Sequence, residues 1–338
     1  MRPIRVLSID GGGVRGYLPA LLLAEIERRA STPAARLFDL VVGTSTGGII
    51  GIGLATGLSA QSLADFYPAY GRRIFGGAEE PAWKTCLLGT GGTFTQRMGH
   101  AARQVGGPFG GNRIYGGNAR HRPEGLEGVL REVLGDKNLS QAEMDLAITS
   151  FDGLTARPVV FSRRDARTDP SWDLPLRDVA RATSAAPTYF PPLRIDWRGR
   201  GCRFVDGGVW ANNPAGIAVS ESLVLTSGNG LTGQSVFFVS LGTGMAPAGA
   251  GFDGTNSWIG SAGDLVRTAT SVAAGEVLAR RAVPEQNYRR LQVIDSRVAG
   301  AMDDPSRQRL EVLKAAADDL IRDRSAELDE IAARLLAR

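Results

Sequence analysis

Three short runs in this sequence hold residue types that together could cleave an ester. The first is Gly43-Thr44-Ser45-Thr46-Gly47, which directly follows the apolar run of residues 37–42. A serine at the tip of a sharp strand-to-helix turn needs glycines two residues to either side, because side chains there would collide with neighbouring backbone. The helix that such a turn opens, over residues 47–55, aims its free N–H groups and positive dipole end near Ser45. That placement suits a nucleophile beside which negative charge develops. A plain small-residue turn between strand and helix uses the same residue types.

A serine nucleophile needs a group to take its proton, usually a histidine. His100 and His121 are the only histidines, and both lie between Ser45 and every later carboxylate-bearing strand end. The α/β-hydrolase order is serine, then carboxylate, then histidine, so a triad of that type is not expected. The candidate that remains is a carboxylate at the end of another buried strand, and Asp206 in Phe204-Val205-Asp206-Gly207-Gly208 has that position. Burial raises a carboxylate's pKa and makes it a better base near neutrality. Ser45 and Asp206 then suffice as a dyad, although an isolated Asp-Gly pair also reads as an ordinary turn.

Acyl transfer further requires donors for an oxyanion. The run Gly11-Gly12-Gly13-Val14-Arg15-Gly16, just after Asp10, can point several backbone N–H groups into one concavity. Arg15 adds positive charge there or ties the loop to a carboxylate. Gly11, Gly13 and Gly16 also match the G-x-G-x-x-G dinucleotide fingerprint, which expects an acidic residue at the end of the second strand. Here that position holds Gly43-Thr44-Ser45, and Asp39 stands at the strand's beginning.

The elements that must carry these residues read as a parallel α/β sheet. Residues 4–9 suit a buried strand. Tyr17–Ala30 suits a helix, with Leu18, Leu21, Leu22 and Ile26 at helical spacing and Pro19 in the first turn. Further helices are expected over residues 59–70, 123–134, 176–183 and 212–225, and strands over 145–149, 158–162, 203–206, 235–241 and 290–294. Between residues 76 and 123 the pattern dissolves into glycines, scattered aromatics and basic side chains, the composition of an insertion beside the site. The expected organisation is a catalytic domain over residues 1–256, with that insertion, and a mainly helical C-terminal extension over 257–338 on the same domain.

The chain has 338 residues, a formal charge of +4 and a pI near 9.3, almost wholly from arginine, since Lys84, Lys137 and Lys314 are the only lysines. Such an excess favours anionic partners weakly. No run of eighteen apolar residues and no basic-then-apolar leader stands out, so a cytoplasmic location is the default. Cys86 and Cys202 fit no metal spacing and no disulfide framework.

Taken in order, Asp10-Gly11-Gly12-Gly13-Val14-Arg15-Gly16, Gly43-Thr44-Ser45-Thr46-Gly47-Gly48, Ala182-Thr183-Ser184-Ala185-Ala186-Pro187-Thr188-Tyr189-Phe190 and Asp206-Gly207-Gly208 resemble the patatin-like phospholipase family. The likeness extends through Ser240-Leu241-Gly242-Thr243-Gly244. It implies a three-layer α/β/α fold with a mainly parallel central sheet, and a Ser-Asp dyad acting on lipid acyl esters without calcium. By that resemblance Ser45 is the nucleophile, Asp206 the proton acceptor, and the backbone of Gly11, Gly12 and Gly13 the oxyanion hole, with Arg15 nearby. Gly16, Gly43, Gly47, Gly207 and Gly208 become elbow and turn glycines, and no cofactor or metal is implied. Asp206 is followed by Gly-Gly where many members have Gly-Ala.

Two functions follow as expectations. One is a hydrolase of membrane glycerophospholipids, peripheral at the inner face of the membrane when active. Some bacterial patatin-like proteins resembling this one are switched on by cyclic oligonucleotides in antiphage defence, and Arg97, Arg103, Arg113, Arg120 and Arg122 suit such an anion. The other is a nucleotide- or phosphate-binding module without catalysis. Nucleic acid is not an expected partner. The apolar faces of the last two helices, with Leu310, Leu313, Leu320, Leu328, Ile331 and Leu335, suit core packing or a homo-oligomer.

Overall fold

The first strand shows why the chain forms layers. In β1 (Ile4–Ile9), Leu7 and Ile9 enter one apolar core and Val6 another, as the two-residue period of a strand requires. The neighbouring strands β2 (Leu40–Gly43) and β3 (Asp145–Asp152) divide in the same way. Val41, Leu146 and Ile148 face the first core, Val42 and Ala147 the second. A sheet buried on both faces must be covered by helices on both. This computed structural model describes residues 3–76, 119–227, 236–247 and 273–337.

Among the described residues the sheet has eight strands. Besides β1 to β3 these are β4 (Arg157–Ser162), β5 (Leu193–Trp197), β6 (Arg200–Asp206), β7 (Val236–Leu241) and β8 (Tyr288–Leu291). The order is β5-β6-β3-β2-β1-β7-β8, with β4 also on β3. Neighbours from β3 through β8 along this path run parallel, whereas β4 and β6 run antiparallel to β3 and β5 antiparallel to β6.

One register sets the rest of the architecture. β2 pairs with β3 as far as Ile148, while β4 lies on β3 from Ala147 to Asp152 and therefore occupies its other edge. β6, which pairs with Ser150 to Asp152, must share the edge that β2 uses. The C-terminal ends of β2 and β6 thus approach each other head to head, with Thr149 between them.

In chain order the helices are α1 (Tyr17–Ala30), α2 (Ala34–Leu37), α3 (Thr46–Ala55), α4 (Ala60–Phe75), α5 (Pro123–Leu134) and α6 (Arg163–Thr168). They continue with α7 (Leu176–Thr183), α8 (Gly208–Ala211), α9 (Ala215–Ser227), α10 (Ala273–Ala282), α11 (Arg307–Asp323) and α12 (Ser325–Leu336). All ten residues of α3 are buried. Side chains of α1, α3, α4, α5, α7, α11 and α12 fill the first core, and those of α9 and α10 cover the second.

β1, α1, α5 and α7 occupy the spans read from the sequence. Residues 37–42 do not form one strand: Leu37 ends α2, and β2 begins at Leu40. The break falls at Asp39, whose carboxylate accepts from the backbone N–H of Arg5, 2.9 Å, and from its guanidinium. The half-exposed strand β5 was not foreseen, and most of the 76–123 insertion lies outside the described residues. The C-terminal extension supplies β8 to the central sheet. Leu310, Leu313, Leu328, Ile331 and Leu335 share a core with Leu18 and Leu22, and an Arg5 guanidinium N–H donates to the Leu335 carbonyl at 2.8 Å.

Leu313 is fully buried in that shared core. Leu313→Ala is therefore expected to cost roughly 2–5 kcal/mol and to lower the midpoint of a single cooperative urea transition. A second, separate transition would instead mean that the C-terminal helices form an independent unit.

Candidate active site

Ser45 lies immediately past the end of β2, with φ 55° and ψ −123°. Backbone held in this region costs on the order of 1–3 kcal/mol and persists only where its surroundings enforce it. Close packing enforces it here. A Cβ on Gly43 would strike the Gly47 carbonyl, and one on Gly47 the Ile9 carbonyl of β1. The Ser45 N–H donates to Thr183 Oγ1 at 2.8 Å. One residue before, the Thr44 hydroxyl donates to the Ala211 carbonyl at 2.6 Å and accepts from Thr149 Oγ1 at 2.7 Å. Thr149 thereby braces the elbow from the strand that β2 and β6 share.

Asp206 ends β6 and is only 4% exposed. Its carboxylate faces the Ser45 hydroxyl, and Oδ1 accepts the Gly208 N–H at 2.7 Å. Burial pushes its pKa up to about 7, with the Ser45 hydroxyl and the Gly208 N–H pulling the other way. Gly207 sits at the bend between β6 and α8, against Thr149. Residues 183–185 hold both Ser45 and Asp206: Thr183 accepts the Ser45 amide, and the Ala185 carbonyl accepts the Asp206 N–H at 3.0 Å.

The glycine loop flanks the same serine, since a Cβ on Gly11 would come within 3.2 Å of Ser45 Cβ. Of the three amides expected to face an oxyanion, that of Gly11 is already committed to the Asn212 carbonyl at 2.9 Å. Its neighbours remain open: among the described residues no acceptor is bonded to the N–H of Gly12 or Gly13. Gly13 takes φ 59° and packs against the Met302 carbonyl, which accepts the Val14 N–H at 2.8 Å. Gly16 closes the turn against Thr46 and Tyr67. Arg15 reaches the carbonyls of Gly244 and Gly12, at 3.4 and 3.5 Å, rather than a carboxylate.

The carboxylate beside the loop has a different partner. Asp10, fully buried, forms a two-pronged ion pair with Arg290 of β8, at 2.5 and 3.1 Å. No local pattern marks Arg290, which stands between Arg289 and Leu291. Asn212, Thr183 and Thr243, whose hydroxyl donates to the Gly11 carbonyl at 2.7 Å, were likewise unassigned. Thr183 and Thr243 lie in runs that carry the family resemblance, and Asn212 opens an expected helix.

The remaining candidates stand apart from this cluster. His121 is packed against Phe75 and Phe190, with Nε2 2.9 Å from Asp303. His100 lies outside the described residues, as do Arg97, Arg103 and Arg113. Arg120 lies 3.7 Å from Asp303 and over the Tyr189 ring. Among the described residues no helix is long and apolar enough to cross a membrane.

A layered α/β sheet that brings a serine elbow, a buried carboxylate and a glycine loop together at its strand ends defines a hydrolase-like architecture. The model of the patatin-like phospholipases matches residues 7–219, and the chain belongs to that family. Patatin-like protein 2 of Oryza sativa subsp. indica is 35% identical over 239 residues, which is 65% of this chain and 53% of that protein. Patatin-like protein 2 of Arabidopsis thaliana is 32% identical over 253 residues, 70% of this chain and 55% of that protein. The chain spans about half the length of these relatives. Among solved structures, VipD from Legionella pneumophila superimposes with a TM-score of 0.43 at 14% identity, covering 96% of this chain and 67% of that one.

The raised pKa has a consequence for stability. An aspartate ionises near 3.9 in an unfolded chain, but Asp206 holds its proton up to about 7 when folded. Its contribution is most favourable near pH 4 and is lost as the pH rises towards 7. Asp206→Asn is expected to melt above wild type at pH 8, with the difference shrinking towards pH 4. Equal differences in melting temperature at pH 4, 6 and 8 would contradict the shift.

Proposed function

We propose that the protein is a lipid acyl hydrolase of the phospholipase A type, cleaving acyl esters of membrane glycerophospholipids with Ser45 and Asp206. The observation that carries this reading is a buried carboxylate, poised near neutrality, that faces the Ser45 hydroxyl. In the reaction Asp206 takes the Ser45 proton while Oγ attacks the ester carbonyl. The developing oxyanion is received by the N–H groups of Gly12 and Gly13. Asp206 returns the proton to the departing lysophospholipid oxygen, leaving an acyl-serine. A water deprotonated by Asp206 then attacks the acyl-serine, and fatty acid leaves as Ser45 regains its proton. Each oxyanion donor in such a site is typically worth about 3–4 kcal/mol of transition-state stabilisation.

Membership in the patatin-like phospholipases supports the substrate class, and the net charge of +4 suits an anionic membrane surface. The alternative, a dinucleotide held on the glycine loop, is less well supplied. The N–H groups of Asp10, Gly11 and Val14 are spent on Leu241, Asn212 and Met302.

Two measurements test the reading. Ser45→Ala is expected to lower fatty-acid release from phospholipid vesicles by at least about a thousandfold while the fold persists; undiminished release would sink the mechanism. Because the base must be ionised, kcat/KM of wild type is expected to rise about tenfold per pH unit below about 7 and to level off above it. A profile flat from pH 5 to 8 would remove Asp206 from that role.

A further inference from the structure

Resting on the hydrolase reading above, we infer that Arg290 is a positioning residue for the oxyanion loop, acting through Asp10 to keep an uncompensated negative charge away from the open N–H groups of Gly12 and Gly13. Arg290 lies on β8, well beyond residues 7–219 that carry the family match.

Asp10 is the first residue after β1, and Gly12 follows two positions later. Its side chain is 0% exposed and that of Arg290 5%. A carboxylate so placed, if alone, would set a full negative charge beside the spot where the reaction develops another. In surroundings of low polarizability that repulsion is poorly screened. The guanidinium meets both carboxylate oxygens, at 3.1 and 2.5 Å, and also donates to Ser240 Oγ at 2.8 Å. It is therefore fixed in orientation as well as charge. The other charged groups facing Asp10 are Glu276 of α10 and Arg15 of the loop. Glu276 lies 3.9 Å from Arg290 and is itself paired with Arg280 at 2.8 Å.

The backbone on either side of the pair is anchored, so the role is not simply to hold the loop in place. The Asp10 N–H donates to Leu241 at 3.0 Å, Gly11 is held by Asn212 and Thr243, and Val14 by Met302. Removing the guanidinium leaves these hydrogen bonds available while restoring a charge that titrates. The signature to seek is thus a change in pH profile rather than a uniform loss.

The test measures two rates between pH 7 and 9: labelling of Ser45 by a fluorophosphonate, and fatty-acid release from phosphatidylglycerol–phosphatidylcholine vesicles. Wild type is expected to be level over this range. Arg290→Gln is expected to fall at least tenfold in both rates as Asp10 ionises, with KM within twofold. Asp10→Asn added to Arg290→Gln is expected to restore a level profile, within about fivefold of wild type, because no charge remains to be compensated. Arg290→Lys, which keeps the charge without the fork, is expected to stay level too.

An Arg290→Gln profile parallel to wild type, at any height, would overturn the inference. So would a folded double variant that remains at least a hundredfold down. If Arg290→Gln does not fold, the double and lysine variants decide by the same criteria. Wild type that is never labelled at Ser45 would instead defeat the hydrolase reading, and this inference with it.

Discussion

Two strand ends meeting on one edge of a third govern everything else in this molecule. β2 and β6 approach along β3 from opposite directions and stop on either side of Thr149. The space between them is too small for side chains at Gly43, Gly47 or Gly207. Within that space the chain must turn sharply twice, once at Ser45 and once after Asp206, and the two turns set the hydroxyl facing the carboxylate. Residues 183–185 fasten both turns from outside the sheet. The geometry of the pair is thus a property of strand register, not of flexible loops, which is how rigid elements hold reacting groups within fractions of an ångström.

Two buried aspartates at the ends of two strands show how environment divides the same side chain between roles. Asp206 meets a hydroxyl and one amide N–H, and burial drives it towards neutrality. Asp10 meets a two-pronged guanidinium. A charge in apolar surroundings must either be compensated or titrate. Asp206 takes the second course and titrates near pH 7, whereas Asp10 takes the first and forms a fixed dipole beside the loop.

Much of this was legible because steric necessity leaves short-range marks. Ser45 was found from glycines two residues away, and those glycines are required by backbone contacts within five residues or with β1. Asp206 was found from an apolar strand ending in Asp-Gly-Gly. What stayed hidden depends on long-range pairing. No local pattern says that the Gly11 amide is occupied by Asn212, that Thr183 holds the elbow, or that Arg290 belongs to Asp10. A four-residue strand flanked by helices carries little periodicity, and β8 spans Tyr288–Leu291 where the pattern suggested residues 290–294.

The distance in sequence between Asp10 and Arg290 also imposes an order in time. Their hydrogen bonds span 280 positions, and the bond from Arg5 to Leu335 spans 330. At the roughly 5–20 residues per second of protein synthesis, Asp10 waits between about 14 and 56 seconds for its partner. Ser45 and Asp206 leave the ribosome during that interval, ahead of β8 and of the last two helices. The growing chain therefore carries both Ser45 and Asp206 before the strand that braces the glycine loop exists, so synthesis itself delays the completion of the site.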